Sequence, residues 1–539
     1  MTETERIVAL DLNDVSEGDR QELSQFLTRP GSKAKLRETQ IDALVRICRN
    51  RGGLIAAGVG HGKFLISALS PTICFSLRAL LLVPASLVEQ TRIEIERWRR
   101  DFRIISNDKL FVMSYSSLST ASGRFVLRDY KPDLIVADEC HKLRRRESAR
   151  TKRVIEYFKN NPTARFVGLS GTLTARSLSD FDHLSELALR ENSPLPRTWR
   201  SMRSWSRLID VRPDEKPGPA DYREMKPLFD WAKDDRPREA FRKRFVSCPG
   251  ILATTSSSFE GSLEIFSHQY EAPDEIRRAL RKLDEEWRTP DGRDLESPLD
   301  VARIRKQLSA GYWLRWDWPN GIVDFEWLEA RNEFSREVRR FLKYNKRGID
   351  SVYLAEQCEN KPSYLQKAFD KWSRLKFIKP PPVVAEVISR KPLEFAFEIA
   401  KTRSRPSLIW SNSPKSLSFY RDELDIESYE AGRTIPLEDR GTRNIALSRQ
   451  SFGTGLNLDG WSSNVLVGIP ASAAGFEQQI GRTHRPGQRE DSVEVHIVSP
   501  DCESTSKALS QLRRDAKYLE SVSGQKTKVF LARWIAFRS

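Results

Sequence analysis

Two stretches of the chain alternate short apolar runs with amphipathic helical segments, and this alternation restricts the fold more than any other feature. Such runs are typical of strands that are covered on both faces, and the intervening helices favour parallel pairing. The sequence therefore predicts an α/β protein with two doubly wound parallel sheets. The predicted strands are 54–57, 79–83, 110–113, 134–137 and 165–169 in the first block and 407–410, 444–447, 465–468 and 493–498 in the second.

About 190 residues of different composition separate the two blocks. Proline-rich patches mark the two ends of this part, and nine of the thirteen tryptophans fall inside it. The spacing of apolar residues in 327–344 predicts an amphipathic helix, so we interpret the part as a mainly helical insertion with most tryptophans in a small core. The predicted divisions are an N-terminal arm 1–30, a first block 31–190, the insertion 191–382, a second block 383–505 and a C-terminal bracing segment 506–539.

Composition excludes several classes of protein. No apolar run approaches the ~20 residues of a membrane-spanning helix, and the N-terminus lacks the apolar core of a secretory signal. The six cysteines are scattered without a Cys-x-x-Cys pair, which argues against a disulfide framework and a zinc site. We therefore expect a cytoplasmic protein, in a bacterial or phage-infected cell. The formal net charge of +16 is compatible with a nucleic-acid partner, and also with solubility alone.

A glycine-rich loop, residues 57–63, follows the first predicted strand and precedes a predicted helix. Its glycines would let backbone N–H groups approach a phosphate, and the N-terminus of the following helix favours an anion. The lysine at the end of the loop would reach the terminal phosphates of a nucleotide. A glycine-rich turn with a solvated lysine is the plainer alternative. The residues predicted to bind nucleotide here are Gly58, Gly60, His61, Gly62, Lys63 and Phe64.

Phe64 departs from the usual pattern of such loops. The residue after the lysine is normally Ser or Thr, whose hydroxyl binds Mg²⁺, and a phenylalanine side chain cannot do so. Ser67 lies one helical turn further on, too far to substitute directly. Either water replaces the missing ligand and Mg²⁺ binds more weakly, or the site binds nucleotide without hydrolysing it well.

An acidic pair, Asp138 and Glu139, comes directly after the apolar run 134–137. An aspartate at the carboxyl end of a strand in an α/β sheet can hold Mg²⁺. The adjacent carboxylate can orient or deprotonate an attacking water. A polar strand end that leads into a turn is the plainer alternative. With Lys63 upstream, the pair predicts half of an ATPase site.

The second block makes the pattern more specific. Residues 478–488 read QQIGRTHRPGQ, which resembles motif VI of superfamily 2 helicases and most closely that of the Swi/Snf-like DNA translocases. One departure is Leu173, where members of this family usually have proline. Further segments resemble, in family order, motif Q (36–40), motif Ia (83–88), motif Ib (114–118), motif III (169–173), motif IV (408–411) and motif V (453–458).

The resemblance implies two RecA-like lobes that bind ATP in the cleft between them. Lys63 and Asp138 would hold the triphosphate and Mg²⁺, and Glu139 would act as the base. Arg482 and Arg485 would come from the second lobe as arginine fingers, because a planar guanidinium stabilises charge on the transferring phosphoryl group. Hydrolysis would then depend on closure of the cleft.

The resemblance also implies residues that contact the nucleotide or transmit its state. Gln40 would contact adenine, and Gly455 would belong to the nucleotide site. Each such residue has a plainer alternative, since the glutamine can cap a helix, hydroxyl side chains can form a turn and histidines can be core residues. The residues implied to couple nucleotide to nucleic acid are His141, Ser170, Thr172, Gln478 and His484.

Together these motifs favour an ATP-dependent motor that moves on double-stranded DNA by contacting phosphates, which position a protein without reading sequence. The formal net charge of +16 suits a protein that binds the phosphate backbone of DNA. Two alternatives stay open: a strand-separating DNA or RNA helicase, and a nucleic-acid-binding protein whose ATPase has decayed, which Phe64 would explain. We expect no membrane partner. Candidate phosphate contacts after the acidic pair are Lys142, Arg144, Arg145 and Arg146.

Overall fold

The computed structural model describes most of the chain. Strands and helices are numbered below in chain order within the described part. The described residues are 1–58, 60–173, 176–211, 213–254, 259, 261–295, 297–345, 349–413, 416–430, 433, 435–449 and 457–538.

Strands and helices alternate along both blocks. The strands are β1 Gly53–Ala56, β2 Ala79–Val83, β3 Leu110–Ser114, β4 Leu134–Asp138, β5 Arg165–Ser170, β6 Ile251–Ala253, β7 Ser262–Tyr270, β8 Tyr312–Trp316, β9 Val383–Val387, β10 Ser407–Ser411, β11 Ser428–Tyr429, β12 Ile445–Ser448, β13 Ser463–Val467, β14 Ser492–Pro500 and β15 Arg533–Arg538. The helices are α1 Glu3–Val8, α2 Glu17–Leu27, α3 Glu38–Asn50, α4 Lys63–Ile73, α5 Val88–Trp98, α6 Tyr115–Leu118, α7 Gly123–Tyr130, α8 Ala149–Asn160, α9 Asp182–Leu189, α10 Trp199–Ile209, α11 Pro219–Ala232, α12 Pro237–Val246, α13 Asp274–Glu286, α14 Pro298–Leu308, α15 Phe325–Tyr344, α16 Val352–Gln357, α17 Ser363–Leu375, α18 Lys391–Lys401, α19 Leu417–Leu424, α20 Ala473–Ile480, α21 Glu503–Ser523 and α22 Lys528–Leu531.

Two sheets, parallel throughout, organise the molecule. The first has the order β3-β2-β4-β5-β1-β6, and the second has the order β11-β12-β10-β13-β14-β7-β15. We call the first sheet with its flanking helices lobe one and the second lobe two. This arrangement is consistent with tandem RecA-like domains, and it confirms the predicted fold class. Each strand predicted from an apolar run overlaps an observed strand.

Strand β4 shows how the first sheet is covered on both faces. Its residues Leu134 and Val136 belong to one hydrophobic cluster, and Ile135 and Ala137 belong to another. All four side chains are fully buried. Because successive side chains of a strand point to opposite faces, a strand without polar positions requires helices on both sides of its sheet.

The middle of the chain differs from the prediction of one separate insertion. Residues 191–382 are mostly helical, but they supply β6 to the first sheet and β7 to the second. Helices α10 and α12 pack into the core of lobe one through Trp205 and Phe241. The pairing that recruits β6 and β7 is with strands far away in sequence, so local periodicity carries no sign of it. The five-part division of the chain stays a prediction.

Four of the nine tryptophans of the middle region pack around one another, and Trp205 and Trp313 are buried in other cores. The ring of Trp327 lies 5.1 Å from that of Trp316, 6.0 Å from Trp318 and 5.7 Å from Trp372, measured between centroids. A separate small core lies between α15 and α17. Trp199 is an exception, since most of its side chain is exposed.

Helix α21 contacts both lobes. Tyr518 and Val522 belong to the core of lobe one, whereas Leu512 and Leu519 belong to the core of lobe two. The buried carboxylate of Asp515 also accepts hydrogen bonds from the Arg176 guanidinium of lobe one, at 2.9 Å from Nη2 and 3.1 Å from Nε. One helix therefore packs into the cores of both lobes and holds the two sheets side by side.

The described helices include none that is both long enough and apolar enough to cross a membrane. The six cysteines, which the sequence places apart from one another, are all free thiols. A cytoplasmic location stays a prediction.

The position of β7 inside the second sheet is testable by mutation. Ile265 of β7 is fully buried between Val495 of β14 and Trp534 of β15. We expect Ile265→Ala to lower the free energy of unfolding by about 2–5 kcal/mol, because it leaves a cavity in the core. Urea denaturation followed by tryptophan fluorescence measures this. Ile322→Ala, at a side chain that is 72% exposed, is the control. Equal effects of the two substitutions would contradict the placement of β7.

Candidate active site

The glycine-rich loop connects β1 to α4 at the edge of the cleft between the lobes. Gly60 and Gly62 have φ values of +91° and +71°, a region that favours glycine. A Cβ atom at Gly62 would collide with the Gln40 amide nitrogen, so both conformation and space require glycine there. His61 is buried and packs beside Gly58. Lys63 is the first residue of α4, where the positive end of the helix dipole faces the loop.

Gln40 and Arg37 tether this loop to the start of α3. The Gln40 side chain donates from Nε2 to the Gly62 carbonyl at 3.0 Å, and its Oε1 accepts from the Arg37 N–H at 2.8 Å. The Arg37 guanidinium donates to the Gly60 carbonyl at 2.7 Å. Gln40 is buried, and its amide bonds link loop and helix within lobe one. Its contact with adenine stays a prediction.

The Lys63 ammonium lies between the loop and the acidic pair. Its Nζ donates to the carbonyl oxygens of Ala57 at 3.2 Å and Gly58 at 3.3 Å. The same nitrogen is 3.7 Å from Glu139 Oε1. The loop carbonyls hold the lysine where a phosphate beside the loop could replace them as its partner.

The acidic pair stands at the carboxyl end of β4, as the sequence predicts. Glu139 has φ +57°, a left-handed conformation that is unusual outside glycine and costs about 1–3 kcal/mol. Asp138 Oδ1 accepts the Glu139 N–H at 3.0 Å, and the buried Tyr115 hydroxyl donates to the Asp138 carbonyl at 2.7 Å. These bonds stabilise the turn that presents both carboxylates to the cleft.

Electrostatics distinguish the two carboxylates. Burial, followed by the neighbouring Glu139, raises the pKa of Asp138 to about 7. Burial alone would also raise the pKa of Glu139, but the Lys63 cation, a hydrogen bond from His141 and the Arg482 cation outweigh it and hold that pKa below its usual range. Glu139 is thus the ionised member of the pair in this arrangement, and a cation beside Asp138 would ionise that carboxyl as well.

A row of polar side chains crosses the cleft from lobe one to lobe two. We call it the polar wall, and it consists of His141, Ser170, Thr172 and Gln478. His141 Nδ1 lies 3.1 Å from Ser170 Oγ and 3.3 Å from Glu139 Oε2. Gln478, on α20 of lobe two, places its Nε2 3.4 Å from His141 Nε2 and 3.3 Å from Thr172 Oγ1. The structure therefore brings together four of the five residues that the sequence predicts as coupling residues.

The fifth, His484, lies elsewhere in lobe two. Its Nε2 donates to the Gly261 carbonyl at 2.9 Å, and its Nδ1 accepts from Lys528 Nζ at 2.7 Å. Burial and the Lys528 cation lower the pKa of His484 to about 4, so its imidazole is neutral. His484 thus anchors the C-terminal segment to lobe two.

The two predicted arginine fingers face lobe one. Arg482 is buried, and burial lowers the pKa of its guanidinium to about 10 although Glu139 and Asp138 oppose this effect. The side chain is therefore close enough to the acidic pair to interact across the cleft. Burial also lowers the pKa of Arg485, with Asp459 acting in the opposite direction and the Arg37 cation of lobe one in the same direction.

Motif V is only partly visible. Gly455, predicted as a nucleotide contact, lies outside the described residues. The next described residue, Asn457, donates to Asp459 Oδ2 at 2.8 Å, and the Leu458 N–H bonds to the Arg482 carbonyl at 3.1 Å. A backbone hydrogen bond thus joins motif V to motif VI.

Two cleft residues lack any motif in the sequence. Thr254 follows β6, and its Oγ1 accepts the Gly58 N–H at 3.0 Å. Gln525 follows α21, and its Nε2 donates to the Ala56 carbonyl at the end of β1 at 2.6 Å. Both line the cleft beside Glu139 and Gln478. Only the three-dimensional pairing of β6 and the return of the C-terminal segment reveal them.

The donor set fits one Mg²⁺ ion bound with a nucleotide. Asp138 supplies a carboxylate beside Lys63, and Mg²⁺ in phosphate sites commonly takes one or two carboxylates together with water and phosphate oxygens. Phe64 is half-buried and packs against the core of lobe one. The Ser67 hydroxyl is buried and donates to the Lys63 carbonyl at 3.1 Å, so it is committed to its own helix. Water would therefore occupy the position of the usual hydroxyl ligand.

Comparison with known proteins agrees with this geometry in lobe one. Residues 33–175 match the family described as ResIII, Type III restriction enzyme, res subunit. No curated protein matches the chain. The matched segment contains the loop, the acidic pair and Ser170 with Thr172. Lobe one is therefore similar to a helicase-like ATPase domain of superfamily 2, and the match does not specify a Swi/Snf subfamily.

Proposed function

We propose that the protein is an ATP-dependent, nucleic-acid-stimulated motor that couples hydrolysis to movement on double-stranded DNA. One observation carries the proposal: Glu139 of lobe one lies 3.7 Å from Lys63 and within electrostatic range of Arg482 of lobe two, in a single cleft. The match of residues 33–175 to a helicase-like family supports ATP as the nucleotide. The Swi/Snf-like motif VI supports translocation on duplex DNA as the form of movement.

In the proposed reaction each charged residue has a separate task. Lys63 would release the loop carbonyls and bind the terminal phosphates. Glu139, kept ionised by its cationic neighbours, would orient the attacking water and accept its proton. Bound Mg²⁺ would neutralise charge on the phosphate oxygens, and Asp138 is the carboxylate placed to hold it.

The arginines link hydrolysis to the relative position of the lobes. Arg482 and Arg485 would stabilise the charge that develops on the transferring phosphoryl group only when lobe two is close. Closure would thus depend on ATP, and opening would follow hydrolysis and product release. If both lobes grip a phosphate backbone, each cycle moves one lobe along it.

The polar wall is the proposed connection through which the nucleotide site affects the grip on nucleic acid. His141 contacts Glu139 on one side, and Gln478 contacts His141 and Thr172 on the other. Any shift of α20 would therefore change the surroundings of the catalytic carboxylate. This arrangement supports a coupling role for His141, Ser170, Thr172 and Gln478, while His484 would act as a structural residue of lobe two.

Strand separation on DNA or RNA is the second candidate, because the same cleft would serve either activity. A forked duplex and a blunt duplex of equal length distinguish them. Efficient unwinding of the fork with weak stimulation by blunt duplex would replace the translocase proposal. A decayed ATPase is the third candidate, motivated by Phe64, but the lysine, both carboxylates and both arginines are all retained.

Glu139 is the most direct test of the ATPase. We expect Glu139→Gln to lower the duplex-stimulated turnover of ATP at least ~100-fold, because general-base catalysis contributes about 10²–10⁴-fold. Steady-state phosphate release with and without duplex DNA measures this. Glu147→Gln is the control, since Glu147 is exposed in the neighbouring loop. Turnover of Glu139→Gln within a few-fold of the native rate would refute the assignment.

Phe64 gives an independent prediction about Mg²⁺. We expect Phe64→Thr to lower the Mg²⁺ concentration for half-maximal ATP hydrolysis by about tenfold, comparable with the ~10–100-fold effects of residues around metal ligands. The reason is that the hydroxyl adds a ligand that water now replaces. Phe64→Leu is the control, because it alters packing without adding a hydroxyl. The same Mg²⁺ dependence in both variants would show that position 64 does not face the metal.

A further inference from the structure

A second cavity, of about 340 Å³, opens on the other side of the polar wall. Thr172 and Gln478 line both this cavity and the one that contains Glu139. We call the second cavity the basic pocket, because lobe one contributes four cationic residues to its lining. These are Lys142, Arg144, Arg145 and Arg150.

The charges of the basic pocket are not balanced within the described part of the chain. None of its four cations has a carboxylate within 4.0 Å there, and no described aspartate or glutamate lines the cavity. Arg146, which the sequence groups with these cations, does not line the cavity, and its Nη2 lies 2.8 Å from Asp182 Oδ2, so we assign it to an ion pair and not to the pocket. Like charges held together without a counter-ion repel one another, and an anion relieves that repulsion.

Burial strengthens this argument. Lys142, Arg144 and Arg150 are half-buried, and Arg150 Nε donates to the Lys142 carbonyl at 2.9 Å, which fixes the two residues together. Burial lowers the pKa of Lys142, and the neighbouring Arg150 and Arg144 cations act in the same direction although Glu139 opposes them. Burial likewise lowers the pKa of Arg150. The fold thus brings cations into a partly dry site where they destabilise one another.

Lobe two closes the pocket with the start of α20. Ser472 caps this eight-residue helix and accepts the Gly475 N–H at 3.2 Å. The first turn of a helix presents backbone N–H groups without intrahelical acceptors and a partial positive charge. Ala474 and Gly475 line the cavity, and the small size of these two residues leaves room for a ligand to approach the backbone.

We propose that the basic pocket binds a phosphate group, held jointly by the cations of lobe one and the first turn of α20. The inference deepens the proposed function and rests on it, since it places one phosphate of the nucleic-acid backbone beside the polar wall. A free phosphate ion shares the same chemistry and is the alternative source. A phosphate bound there bridges the lobes and touches the residues that lead to Glu139.

The test compares Arg144→Ala/Arg145→Ala with Arg146→Ala, a neighbouring variant that also removes positive charge but lies outside the pocket. Binding of a fluorescein-labelled duplex is measured by anisotropy, without nucleotide, between 50 and 200 mM salt, a range over which about 10³–10⁵-fold in affinity is lost when 6–10 phosphates are contacted. We expect the double variant to reduce the slope of log affinity against log salt by about one, because the loss of one phosphate contact removes about one unit. Arg146→Ala should retain the native slope.

A charge-conserving variant separates binding from folding. Arg144→Lys/Arg145→Lys should keep the native salt slope, and circular dichroism should show that all the variants are folded. A second arm titrates inorganic phosphate without DNA and follows the melting temperature. If phosphate stabilises the native chain but not the double alanine variant, while duplex binding is the same for both, the pocket takes the free ion.

The proposal is overturned if the double alanine variant matches Arg146→Ala in both arms. None of these measurements requires hydrolysis of ATP. The motor could therefore fail, through absence of turnover that depends on Glu139, while the phosphate pocket stands. Conversely, normal DNA-stimulated turnover in a double variant that matches Arg146→Ala in both arms would leave the motor intact and remove the pocket.

Discussion

The geometry of the cleft depends on helix α21, because this one helix belongs to the cores of both lobes. Its contacts with lobe one through Tyr518 and with lobe two through Leu512 are hydrophobic, and Asp515 adds a buried ion pair with Arg176. Arg482 can interact with Glu139 only while the two sheets keep this spacing. Hydrophobic burial of this kind is non-directional, so it can hold two lobes together and still permit a change of angle between them.

Parallel pairing explains why so many charged residues meet in one place. The carboxyl ends of β1, β4 and β5 lie at the same edge of the first sheet, and the loop, the acidic pair and Ser170 follow those strands. Lobe two contributes helix α20, whose Gln478 completes the polar wall. Two cavities then share this wall, one beside Glu139 and one lined by cations that have no carboxylate within 4.0 Å in the described part of the chain.

The sequence predicts those parts of the molecule that residues close together in the chain determine. Strands β1 to β5 are continuous apolar runs, and Lys63, Asp138 and Glu139 lie at their ends, so both fold class and acidic pair were accessible. Strands β6 and β7 could not be predicted from the sequence, because their partner strands are distant in the chain and β6 has only three residues. Thr254 comes directly after β6, so its place in the cleft could not be predicted either. The surroundings of His484 could not be predicted for another reason: a motif fixes residue types and spacing but does not show which neighbours bury each side chain.

Strand β7 has a consequence for synthesis of the protein. It lies between β14 and β15, so both its neighbours are translated about 220 residues or more after it. At about 5–20 residues per second, both edges of this strand wait unpaired for roughly 10–50 s on the ribosome. The unpaired backbone N–H and C=O groups of such a strand are a template for pairing with other chains. During synthesis, lobe two is therefore exposed to aggregation until β14 and β15 have been translated. Lobe one is less exposed, because most of its strands are close together in sequence.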